Sequence, residues 1–108
     1  MPKLVLLIHE DIHSQGYSIS LIPTEEKKRF SFGNHPYNYL RIEGLLDFHG
    51  SFSYSFSDYR WLLFETFFDN SLLINGLKIK TKTHTLHQND VISYNNISIT
   101  IGFLETLI

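Results

Sequence analysis

The chain has 108 residues, 43% of them hydrophobic and 15% aromatic, which supports one packed core and is too little for two. Alanine, the best helix former, is absent, while Ile, Leu, Phe, Tyr, Ser and Thr abound, so the composition points to β structure. A formal net charge of −2 argues against general nucleic-acid binding, and the lack of cysteine fits a reducing compartment.

The first element is the apolar run Leu4 to Ile8, far too short to span a bilayer or to act as a secretory signal. Tyr17, Ile19 and Leu21 then alternate with Ser18 and Ser20, the period-2 pattern of a half-buried strand. Gly16 lies in the connection, so the two segments are expected to form a β-hairpin. Between them "HEDIH", His9 to His13, spells the zinc-protease signature H-E-x-x-H. That motif needs a helix, where both imidazoles share one face. In extended chain, residues four apart are separated by roughly 13 Å, whereas zinc takes each nitrogen at about 2.1 Å. No zinc is expected at His9 and His13.

Pro23 to Arg29 reads as a solvated turn, and Phe30 to Gly33 as a strand with Phe30 and Phe32 inward. Pro36 disfavours helix in the residue before it, so "HPYN" is a loop, followed by a short strand in "YLRI". Phe52, Tyr54 and Phe56 alternate with Ser51, Ser53, Ser55 and Ser57, which implies one aromatic face and one wetted hydroxyl face. Ser57 to Arg60 turns the chain, and Trp61 to Phe64 returns as a strand expected to be buried on both sides.

Asn75-Gly76, between Leu73-Ile74 and Leu77-Ile79, is the strongest hairpin signal in the sequence. Lys78, Lys80 and Lys82 share one face of an expected edge strand, either as a guard against mispairing or as a contact for an acidic partner. Asn89-Asp90 and Asn95-Asn96 are further turns, with strands Val91 to Tyr94 and Ile97 to Ile101. The sequon Asn96-Ile97-Ser98 has no secretory signal with it and is not expected to be glycosylated. Short strands at this spacing indicate an all-β sandwich. Its core should contain Phe30, Phe32, Trp61, Leu63 and Ile92.

The order of these pieces resembles a forkhead-associated (FHA) domain, a β-sandwich of two antiparallel or mixed sheets that reads phosphothreonine. The resemblance covers residues 1–108 as a single domain. Phe32-Gly33-Asn34 stands where that family has strand–Gly–Arg. After Trp61, "ETFFDNSLLING" follows the D-L-x-S-x-N-G-T-x-V-N-G loop at Asn70, Ile74, Asn75 and Gly76, with Glu65 for the Asp. "LHQNDVISYN" keeps Leu86, Asp90 and Ile92 of the closing L-x-x-G-D-x-I. The departures fall on the phosphate site. Asn34 replaces the family's Arg, "FHGS" (Phe48 to Ser51) replaces its Ser-Arg-x-His, and Ser71 replaces the Gly after Asn70. A slide of three residues would make Ser51 the missing Ser, but it would shift the aromatic alternation. Charge-assisted bonds to phosphate contribute about 1.5–3 kcal/mol each, so these losses imply a degenerate site of Asn34, His49, Ser51 and Asn70, in which His49, Ser51 and Asn70 remain as donors.

Degenerate domains of this kind resemble the cytosolic modules of bacterial secretion machines, at the N-terminus of the type VII ATPase and in the type III inner-ring protein. Met1 directly before the first strand suits an N-terminal module. The leading expectation is a non-catalytic protein-interaction module in the cytoplasm, including the cytosolic part of a membrane-anchored protein. Its partners would be other subunits of an assembly, with no nucleic acid, membrane insertion of this segment, cofactor or metal. The loops at His35 to Asn38, Phe48 to Ser51 and Phe67 to Asn70 should converge at one end and offer Tyr37, Phe48, Phe67 and Phe68 as an apolar docking patch. Two alternatives remain: a phosphopeptide reader using His49, Ser51 and Asn70 in a signalling protein, and an enzyme using His9, Glu10 and His13 or other histidines. The other histidines, His35, His49, His84 and His87, are read as scattered surface groups.

Overall fold

The computed structural model describes residues 2–11, 13, 15–65, 72–78 and 81–106. Eleven strands lie within them: β1 (Lys3–His9), β2 (Tyr17–Leu21), β3 (Arg29–Gly33), β4 (Leu40–Arg41), β5 (Gly50–Ser55), β6 (Arg60–Glu65), β7 (Leu73–Ile74), β8 (Leu77–Lys78), β9 (Thr83–Thr85), β10 (Val91–Tyr94) and β11 (Ile97–Glu105). They form a six-stranded sheet in the order β2-β1-β11-β10-β7-β8 and a five-stranded sheet in the order β4-β3-β5-β6-β9. All pairings are antiparallel except β3 with β4. The expected all-β sandwich is therefore the observed fold. No helix among the described residues is long and apolar enough to cross a membrane.

The two inner faces differ in chemistry. The six-stranded sheet contributes aliphatic residues: Leu4, Leu6 and Ile8 from β1, and Ile97, Ile99 and Ile101 from β11. The five-stranded sheet answers with rings: Phe30, Phe32, Phe52, Tyr54 and Trp61. Period-2 alternation produces both faces, because successive side chains of a strand point to opposite sides. All five residues expected in the core are buried there. The β1–β2 hairpin pairs Leu4 with Leu21 and Ile8 with Tyr17, as the alternation requires. A bulge at Gly102 interrupts the β1–β11 ladder, where Val5 pairs with Phe103 and Leu6 with Ile101.

Three expectations need correction. β6 is not buried on both sides: Trp61, Leu63 and Glu65 are buried, while Leu62 and Phe64 are half-buried on the outer face. There the Arg29 guanidinium lies 4.5 Å above the Phe64 ring, so an apolar run became an alternating strand with a cation cover. The hydroxyl face of β5 is not freely wetted either. Ser51 is buried between Ser31 and Phe64, and Ser53 and Ser55 are half-buried. Finally, the lysines do not line one strand. Lys78 ends β8 on the six-stranded sheet and Lys82 precedes β9 on the other, so the chain changes sheets between them. Lys80 is outside the described residues.

The Asn75-Gly76 turn has positive φ at both residues, 53° and 82°, the backbone a two-residue hairpin requires. Asn75 adds what glycine lacks. Its Oδ1 accepts from Val91 N–H at 2.9 Å, and its Nδ2 donates to Asp90 Oδ1 at 3.0 Å. Asp90 Oδ2 accepts from His87 N–H at 2.8 Å. Burial alone would raise the Asp90 carboxyl, but the bonds from Asn75 and His87, with the nearby His84 imidazole, outweigh it and hold it below 3.8. A depressed folded pKa gives stability that is complete above the unfolded value and disappears as pH falls through the folded one. Urea titrations from pH 7 to pH 2 should show stability declining below about pH 4. Asp90→Asn should cost about 1–3 kcal/mol at pH 7 and flatten that decline.

Candidate functional site

Gly33 builds one end of the sandwich. A Cβ at Gly33 would collide with the carbonyl oxygens of Leu46 and Asp47, so only glycine lets the β4–β5 loop lie on the end of β3. The contact is then fastened by the backbone: Asn34 N–H donates to Leu46 O at 2.9 Å and His35 N–H to Asp47 O at 3.1 Å. Asn38 ties the same two loops from within. It is buried, and its Nδ2 donates to His35 O at 2.9 Å and Asp47 O at 2.6 Å. Ile42 and Leu45 anchor the remainder of the loop in the core.

On this frame the rings sort into an outer and an inner set. His35 is the centre of the outer one: it stacks on Phe48 with centroids 4.9 Å apart and meets Tyr37 edge-on at 4.8 Å. Its Nδ1 accepts from Tyr37 N–H at 3.1 Å, which fixes the ring against the loop. Tyr37 is 87% exposed and Phe48 43% exposed. The expected convergence of the 35–38 and 48–51 loops is thus present, with Tyr37 and Phe48 on the surface. Gly50 pairs with Glu65, so β6 also ends here. Phe67, Phe68 and Asn70 lie outside the described residues. Glu65 itself is buried and accepts from Leu72 N–H at 3.3 Å through Oε1.

The inner set corrects the sequence reading of His49. It is not a surface histidine but wholly buried, face to face with Phe32 at 6.3 Å and edge-on to Tyr94 at 4.6 Å. Its Nδ1 accepts from Leu46 N–H at 3.2 Å, so it holds the loop from beneath. Ser51 is 7% exposed and sits in mid-sheet rather than on the loop rim. Of the four residues assigned to the degenerate phosphate site, only Asn34 is both described and partly exposed. Sequence reading missed Arg41. From β4 its Nε reaches back to Asn34 O at 2.9 Å, and its guanidinium lies 3.8 Å from Glu43.

The remaining histidines divide. His9 is the last residue of β1 and His13 lies in a turn, with its N–H donating to Asp11 Oδ1 at 3.1 Å, so the described residues of "HEDIH" are not helical. His84 and His87, expected to be scattered, converge on Asp90. They lie towards the other end of the molecule, where Leu86 N–H donates to Trp61 O near the start of β6. A signal existed in "HTLHQND": a strand residue, a loop residue and a turn acid at spacings of three.

The chain superposes on an FHA domain of an Arabidopsis thaliana hypothetical protein with TM-score 0.75 and 19% identity, covering 100% of this chain and 91% of that one. The FHA domain of the CT664 protein from Chlamydia trachomatis gives TM-score 0.71 and 16% identity, over 93% and 95%. An FHA structure from work on phosphothreonine-dependent FHA interactions gives 0.69 and 16%, over 93% and 94%. The fold is that of FHA domains. No protein-family model matches the chain, and no curated protein matches it in sequence.

Asn38→Ala should remove the side-chain donor from the His35 and Asp47 carbonyls, which keep the Asn38 and His35 backbone N–H groups, costing about 0.5–1.5 kcal/mol per bond lost. Hydrogen exchange should quicken at the amides of Asn34, His35 and His49 first, ahead of those of β1 and β11.

Proposed function

We propose that this chain is a non-catalytic protein–protein interaction module whose loop end docks another subunit through aromatic side chains rather than through phosphate. The observation that carries this reading is the His35, Tyr37 and Phe48 cluster, exposed where the two loops meet. Exposed aromatic groups held by a rigid frame give large contact area with little conformational entropy to lose. Asn34 in the place of the family's arginine, and the inward turn of His49 and Ser51, support loss of phosphate recognition. Phe67 and Phe68 join the docking surface, and Asn70 the degenerate site, on sequence grounds. The proposed setting is the cytoplasmic part of a bacterial secretion assembly, on the resemblance to type VII and type III modules.

A second reading, a phosphopeptide reader with a non-standard site, is favoured by one feature. The Arg41 guanidinium reaches the backbone of Asn34, beside the position where the family carries its arginine. Its neighbour Glu43 opposes a dianion there. Calorimetry with a degenerate phosphothreonine peptide library separates the readings. No heat of binding is expected, whereas micromolar binding lost on dephosphorylation and on Arg41→Ala would establish the reader. For the docking surface, a photo-crosslinking amino acid at position 37 of the parent protein should capture a discrete protein adduct in cells. Phe48→Ser should abolish the adduct while leaving the urea midpoint almost unchanged. A loss of several kcal/mol on Phe48→Ser would instead assign that ring to the core.

A further inference from the structure

We propose that His84, His87 and Asp90 form a binding site for a divalent transition-metal ion of the zinc class. One potential ligand atom from each lies within 4.8 Å of the other two. His84 Nε2 stands 3.5 Å from Asp90 Oδ2, and His87 Nδ1 stands 3.8 Å from the same oxygen. Tetrahedral ligands about 2.0–2.1 Å from zinc are separated by roughly 3.3 Å. Shifts of a few tenths of an ångström at these two contacts, with a somewhat larger closure between the imidazoles, would bring the atoms to coordination distance.

Two further features point to a ligand. His84 Nε2 is buried, and its 3.5 Å contact with Asp90 Oδ2 falls short of a well-formed hydrogen bond, so its bonding capacity is poorly used. An ion at this point would take that lone pair. The carboxylate is also preorganised: Asn75 Nδ2 holds Oδ1 at 3.0 Å, and His87 N–H holds Oδ2 at 2.8 Å. Hydrogen bonds of this kind fix a ligand's direction before the metal arrives. Two imidazoles and one carboxylate suit zinc, cobalt, nickel or copper rather than calcium or magnesium, which prefer oxygen alone. The side chain of His87 is 74% exposed, so an ion could enter from solvent and keep water in a fourth position.

Such an ion would act as a clip. His84 belongs to β9, the edge of the five-stranded sheet, whereas Asp90 immediately precedes β10 of the six-stranded sheet. Coordination would join the two sheets across the connection between them. β9 is three residues long and lies at the edge of its sheet, so that edge has few backbone bonds of its own.

The test uses the whole chain stripped with EDTA and titrated with zinc chloride at pH 7.5, followed by calorimetry and melting temperature. One equivalent should bind with a micromolar or lower Kd. The melting temperature should rise by about 10 °C at a hundredfold excess of free zinc over Kd. Cobalt(II) should show the visible absorption of a low-coordinate nitrogen–oxygen site. His84→Gln and His87→Gln should each weaken binding at least tenfold. The paired change His9→Gln with His13→Gln should leave it unaltered. His87 is mostly exposed, so His87→Gln keeps the test valid even if His84→Gln fails to fold. Binding no tighter than millimolar, or binding indifferent to His87→Gln, overturns the site.

Discussion

The indole of Trp61 spans the sandwich. Its ring lies 5.2 Å from Tyr54 and 6.3 Å from Phe30 within the aromatic sheet, while its Nε1–H donates to Glu105 O on the opposite sheet at 3.1 Å. Tyr54 repeats the arrangement, donating its hydroxyl to Thr106 O. Two large rings therefore fill the core and pin the end of β11 with their polar tips. A buried indole or phenol needs such a partner, and the partner fixes the register between sheets more narrowly than apolar contact could. Aliphatic side chains alone would pack against the rings in several alignments. The two hydrogen bonds favour one.

At the other end of β6, the same aromatic layer continues through Phe52 and Phe32, 4.9 Å apart, and finishes in His49. His49 occupies a core position while presenting one nitrogen to the overlying loop. That dual use ties the loop to the core and keeps this imidazole from the surface. His49 and Asn38, polar groups at this end of the sandwich, hold the loops to the core through their side chains. The aromatic cluster above them inherits a firm base, with His35 and Phe48 stacked across two loops that Gly33 allows to touch.

Much of this was legible in the sequence because period-2 alternation directly reports which side chains face inward. Phe30, Phe32, Phe52 and Tyr54 obey it, and Asn75-Gly76 announces its own backbone. Other features depend on neighbours that no local pattern names. Leu62 and Phe64 read as buried because they are apolar, yet both are half-buried on the outer face, where the Arg29 guanidinium from another strand covers Phe64. His49 read as exposed because it falls at a predicted loop and strand end. Its burial depends on Phe32 and Tyr94, from elements remote in sequence. The lysines read as one strand because alternation cannot show that the chain leaves one sheet and joins the other.

Asp90 shows how a framework residue can acquire a second role without any change in the fold. Asn75 must adopt a left-handed backbone for the β7–β8 turn, and its side chain then falls against Val91 N–H and Asp90. Asp90 in turn accepts the His87 N–H and closes the loop before β10. These bonds explain an aspartate here through turn geometry alone. Yet they use Oδ1 and one side of Oδ2, and the side that remains faces two imidazoles. His84 is carried there by pairing of β9 with β6 at Leu63, and His87 by the loop that Asp90 itself closes. The carboxylate is held for the turn, and the imidazoles are delivered by the strand and loop on either side of Leu86. Convergence of the three follows from the sheet-to-sheet connection, which is why the cluster belongs to the architecture of this end and owes nothing to the aromatic surface at the other.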